Sequence, residues 1–122
     1  MRLWSILLSL LCCPAVSDAA RLQLLITTCP LAGSQYYAVG RHWQALKPGD
    51  PLTLHREPDN RHDPLAIRIE WRGHQLGYLP RAHNRPIAEA IDRGDRLLGR
   101  IGRLTEHPDP WQRVVIEVYA EL

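Results

Sequence analysis

The chain has 122 residues, 45% of them hydrophobic, and its 15 basic and 13 acidic side chains give a formal net charge of +2. That length excludes a multidomain machine and leaves room for a single core. The mild charge excludes polyanion binding by bulk positive charge, so any such site must come from local clustering of arginines, Lys47 being the only lysine.

Residues 1–19 have the layout of a secretory leader. Met1-Arg2 is a positive start, Leu3 to Cys13 is apolar, and Ser17 and Ala19 suit the small-residue positions before a cleavage point. The apolar run is shorter than the ~20 residues of a bilayer span, so no stable membrane insertion is expected. The chain therefore divides into a signal peptide at 1–19 and a domain at 20–122, which places the mature protein in the periplasm or outside the cell. The alternative is a start codon set upstream of a cytoplasmic domain. Of the three cysteines only Cys29 falls in the mature domain. It cannot form an internal disulfide, and its place before Pro30 fits a small buried hydrophobe.

Arg21 to Thr28 reads as a first strand, and residues 30–34 as a loop. Gln35 to Val39 reads as a short strand with Tyr36 and Tyr37 facing opposite ways. Arg41 to Leu46 fits at most one helical turn, before the turn Lys47-Pro48-Gly49-Asp50. Leu52 and Leu54 lead a strand that stops at Glu57-Pro58-Asp59-Asn60, where Asp and Asn bond locally to nearby amides. Leu65, Ile67 and Ile69 alternate with polar or small residues as a half-buried strand. Arg72-Gly73 turns the chain into a hairpin partner at residues 75–79, which Pro80 ends. Asn84 is placed to cap a helix carrying Ile87, Ala88, Ala90 and Ile91, with Gly94 as its stop. Arg96 to Leu104 is a strand bent at Gly99 or Gly102, and Gln112 to Ala120 is the last. About six short strands and one real helix predict a mainly β chain, with barrel and sandwich not separable by periodicity. Trp43, Trp71 and Trp111 are expected over the ends, Trp71 the most exposed, and Arg56 with Glu57 as an internal pair.

The strings REPDNRHDPLAI at 56–67 and LGYLPRAHN at 76–84 resemble the HIRAN family, whose pattern runs in the same order. QYYAVG at 35–40, PGDPLTL at 48–54 and IAEAIDRG at 87–94 are similar to its flanking segments, so the resemblance covers most of the chain from Leu22. It looks like a small stand-alone bacterial member. The resemblance implies a small OB-like antiparallel β-barrel with one or two short helices. It also implies single-stranded DNA as partner, gripped at its 3′ end. Carried over, Tyr36 stacks on a base, Asp63 accepts the terminal 3′-hydroxyl and Arg81 takes a phosphate. This chain departs from the pattern in having Gln35 for an arginine, His62 for a tyrosine and Tyr78 for a histidine.

The residues themselves supply ingredients for such binding in nearby loops: Tyr36, Tyr37, His62, Asp63, Tyr78, Arg81, His83, Asn84 and Arg85. Barrels of this kind stack bases on aromatic rings and hold phosphates with arginine. Each residue also has a structural role open to it. Asp63 fits a turn cap, either tyrosine fits the core, Tyr78 fits cross-strand packing, and Arg81 and Arg85 fit solvated loop charge. The histidines lack metal-ligand spacing, and neither a nucleophile context nor a phosphate-cradling glycine loop is present. No catalytic residue, metal or cofactor is therefore expected. The expected function is a non-catalytic nucleic-acid-binding module using Tyr36, His62, Asp63, Tyr78, Arg81, Asn84 and Arg85. The alternative is an exported module that uses the same barrel to bind a protein or a glycan.

Overall fold

The structure is a computed structural model and describes residues 22–122, so the expected leader lies outside the described residues. Six strands form: β1 (Gln23–Pro30), β2 (Pro51–Arg56), β3 (Ile67–Trp71), β4 (His74–Tyr78), β5 (Leu97–Leu104) and β6 (Val114–Glu121). Two helices accompany them, α1 (Val39–His42) and α2 (Arg81–Asp92). The strands pair antiparallel in the order β1-β6-β5-β2-β3-β4.

Alternation decides what faces inward. In β6, Val114, Ile116 and Val118 are buried, and Ile67, Ile69 and Trp71 do the same in β3. Leu31, Leu76, Ile87 and Ile101 are among the other core residues, with Ile87 and Ala88 bringing α2 onto the core. β2 serves both halves of the sheet: Pro51 and Leu52 pair with β5, whereas Thr53 to Arg56 pair with β3. Gly99 permits that crossing, since a Cβ there would press at 3.2–3.3 Å on Leu54 and Leu52. The register of β5 against β6 shifts between Ile101 and Arg103, which is the bulge expected near Gly102.

The sheet curls without closing. Its edges meet just beyond β1, where Ala32 and Tyr78 exchange two backbone hydrogen bonds of 2.9 Å. Gly77 makes that approach possible, because a Cβ there would run into the Ala32 carbonyl oxygen. The result is the expected OB-like, nearly closed barrel. The β3–β4 turn places both Arg72 (φ 48°) and Gly73 (φ 82°) in the left-handed region, as a two-residue hairpin turn requires.

Three local expectations need correction. Residues 35–39 are not a strand: Gly33 turns left-handed (φ 73°) and starts a 3₁₀ turn over Ser34–Tyr36, with α1 following after Tyr37 and Ala38. Trp71 is 3% exposed, its indole nitrogen donating to Asp50 Oδ2 at 3.0 Å, and Trp111 is the open tryptophan instead. Arg56 and Glu57 do not pair with each other. Arg56 grips Asp92 on α2 through two bonds, and Glu57 accepts from Arg68 at 2.7 Å. Cys29 is buried as expected, and burial pushes its thiol up to about 11.

Candidate nucleic-acid interface

The loop between β2 and β3 is built around Asn60. Its side-chain oxygen accepts from the amides of His62 (2.9 Å) and Asp63 (3.1 Å), and its amide group donates to Glu57 Oε1 at 2.9 Å. Backbone bonds from Glu57 N to Ala66 O and from Ala66 N to Asp63 O close the loop at its base. Short polar side chains thus replace the missing ladder bonds and hold the loop in one shape.

That shape fixes the Asp63 carboxylate. Oδ1 accepts from the Leu65 amide at 2.9 Å, Oδ2 accepts from the Asn84 side chain at 2.8 Å, and the Arg81 guanidinium lies 3.8 Å away. The Leu65 amide does most to hold this carboxyl below the usual aspartate value. Partial burial opposes it, and the Asn84 bond with the Arg81 and Arg56 charges adds to the lowering. An ionised carboxylate has about four acceptor positions, so two fixed bonds leave capacity for a ligand donor. Arg81 is itself tied to the loop, donating to the His62 carbonyl at 2.8 Å.

Across from Asp63, Tyr78 stands on β4. Its hydroxyl donates to Glu57 Oε1 at 2.8 Å, which fixes the direction of its ring. Burial, with this bond to a carboxylate, raises the Tyr78 phenol above its ordinary value. Glu57 takes further bonds from Asn60 and Arg68. Burial alone would raise this carboxyl, but the three hydrogen bonds and the Arg68 charge outweigh it and hold it low. Tyr37 packs edge-on against Tyr78, ring centroids 6.0 Å apart.

These groups share one cleft of about 260 Å³, lined by Tyr37, His62, Asp63, Tyr78 and Arg81 over a floor that includes Ala32, Ala66 and Leu79. Such a volume lies below the ~300–1,000 Å³ usual for drug-sized ligands, so it fits the tip of a chain better than a whole oligomer. His62, Asp63, Tyr78 and Arg81 are therefore brought together. Tyr36 is not with them; it is 78% exposed and lines a neighbouring groove. Asn84 neither caps α2, which begins at Arg81 after Pro80, nor meets solvent, being 2% exposed. It reaches the cleft only through Asp63. Arg85 stands outside the cleft and pairs with Glu89 one turn along the helix at 3.9 Å. Tyr37, named among the ingredients but not in the expected binding set, and Asn60, read only as a turn residue, also line the cleft. The Asn60 turn was legible, but the ring of Tyr37 depends on a 3₁₀ turn that no spacing announces. Among the described residues, no three His, Cys, Asp or Glu side chains converge to hold a metal ion.

Fold and cleft together define a small binding domain of OB-like architecture, with an aromatic and cationic mouth around one carboxylate. The family model for the HIRAN domain matches residues 26–122, and the chain belongs to that family of nucleic-acid-binding modules. It is 39% identical over 62 residues to a Fanconi-associated nuclease 1 homolog from Oryza sativa subsp. japonica, a match covering 45% of this chain and 6% of the nuclease. A crystal structure of a protein from Lactobacillus plantarum superposes with a TM-score of 0.72 at 26% identity, covering 84% of this chain and 98% of that one. The HIRAN domain of human HLTF superposes with a TM-score of 0.59 at 18% identity, covering 81% of this chain and 77% of that one, a likeness of fold.

Proposed function

We propose that the cleft captures the 3′-hydroxyl end of single-stranded DNA without catalysing a reaction on it. Asp63 carries this reading. It is a carboxylate held ionised and oriented by Leu65 and Asn84, with acceptor positions to spare, in the lining of a cleft sized for a chain terminus. A terminal hydroxyl would donate to it in a charge-assisted bond, roughly twice as strong as a neutral one. The rings of Tyr37, Tyr78 and His62 supply faces for the last base, and Arg81 at the rim supplies charge for a phosphate. Tyr36, outside the cleft, is open to stack on a preceding base.

A 3′-phosphate brings negative charge against Asp63 and should be rejected. Oligonucleotides ending in 3′-hydroxyl or 3′-phosphate are compared on the native protein and on Asp63→Asn. The native protein should prefer the hydroxyl at least tenfold, and the variant should lose that preference. Equal binding of both ends by the native protein would rule out end recognition.

The protein- or glycan-binding alternative has one observation on its side: β1 stands at the sheet edge among the described residues and exposes Leu24, Leu25 and Ile26. Added salt separates the readings, since strand binding weakens steeply with salt and apolar contact does not. Export follows from the leader reading alone, and a mature N-terminus near Ala20 in a mass spectrum would be its mark. Among the described residues, no helix is long and apolar enough to cross a membrane.

A further inference from the structure

Beside the cleft runs a second, shallower groove of about 470 Å³, lined by Tyr36, Tyr37, Arg41, Gly73, His74 and Gln75, among others. Tyr37 lines both depressions, so they lie side by side at that residue. The groove holds no carboxylate among its lining residues. Arg41 lines the groove and, like Arg61, Arg72, Arg103 and Arg113, has no carboxylate within 4 Å among the described residues. His74 stacks on His42 with ring centroids 4.2 Å apart, and His42 in turn lies against Trp71. An exposed ring, an unneutralised guanidinium and an imidazole, with no acidic group facing them, fit a phosphodiester strand by charge and by stacking.

Resting on the end-capture reading, we propose that this groove is a second subsite that carries the strand away from its captured end. Tyr36 stacks on a base behind the terminal one, and Arg41 with His74 holds the phosphate between them. The end of the strand is then recognised in the cleft, and its length is sensed in the groove.

The test uses a 3′-hydroxyl dinucleotide, tetranucleotide and octanucleotide on the native chain and on Tyr36→Ala and Arg41→Ala. The quantity read is each protein's ratio of long-strand to dinucleotide affinity. That ratio should rise with length in the native protein and fall severalfold in both variants. Arg41→Ala should also lower the salt slope for the octanucleotide by about 0.7, the value of one single-strand phosphate contact. Arg41→Lys, which keeps the charge, should restore that slope. A native protein that binds the dinucleotide through Asp63 but gains nothing with length would overturn the groove and leave end capture standing. A length gain that survives Arg41→Ala and Tyr36→Ala would do the same. Failure to bind any of the three strands would remove both.

Discussion

Asn84 shows how a side chain shapes a site without touching its ligand. It is buried and donates at 2.8 Å to the oxygen of Asp63 that faces α2. Removing it strands one carboxylate oxygen in a partly buried place, a loss of about 1–3 kcal/mol by the usual penalty for an unsatisfied buried group. Asn84→Ala should lower the urea midpoint accordingly and free the Asp63 side chain to rotate. Its preference for 3′-hydroxyl over 3′-phosphate ends should weaken with it. Tyr78 is coupled in the same way, because its hydroxyl proton is committed to Glu57 and the ring is thereby fixed in direction.

Between elements, the seam from β1 to β4 rests on few backbone bonds. Among the described residues a bridge at Ala32 and Tyr78 joins the sheet's edges, and Gly77 lets the two backbones approach. A methyl group there collides with a backbone oxygen, which cannot swing aside as a flexible side chain can. Gly77→Ala should therefore destabilise the fold by about 1–3 kcal/mol, the range for overpacking a filled site. The walls of the cleft should separate too, since Tyr78 stands on one and Tyr37 follows the other. Chemical denaturation checks the first effect, and weakened binding of 3′-hydroxyl strands checks the second. The far end of α2 is secured differently, by the two bonds from Arg56 to Asp92.

Taken across the domain, the groups that titrate on the acid side, His42, Glu57 and Asp63, lean one way. Burial, then the charges of His74 and Arg41, lower His42 from its ordinary 6.5. Glu57 and Asp63 are held below 4.5 and 3.8, their ordinary values. In each case the unfolded chain takes up protons before the folded one does, so stability falls as pH falls. The loss should begin below pH 6.5, where unfolded His42 protonates, and continue below pH 4.5 as the network around Glu57 discharges. His42→Gln should flatten the first stage and leave the second. Urea midpoints measured from pH 8 to pH 3 would show two slopes in the native protein and one in the variant. The loop around Glu57 positions Asp63, so end binding should fail with the second stage.

Much of this architecture was legible in residue order, because it rests on local rules. Alternation in β3 and β6, the turn at Arg72-Gly73, the bulge near Gly102 and the stop at Gly94 each follow from pleat geometry or from backbone that glycine tolerates. The strings at 56–67 and 76–84 also marked the segments that meet at the cleft. Where each ring and amide points was a matter of long-range contact. Gly33 turns the chain so that Tyr37, not Tyr36, meets Tyr78 from a strand some forty residues later in the chain. Pro80 starts α2 early, which draws Asn84 inward to Asp63 instead of leaving it at the helix end. Asp50 likewise draws in the indole of Trp71. Spacing along a chain specifies which face a side chain takes within its own element, whereas its partner is specified by which other element packs there.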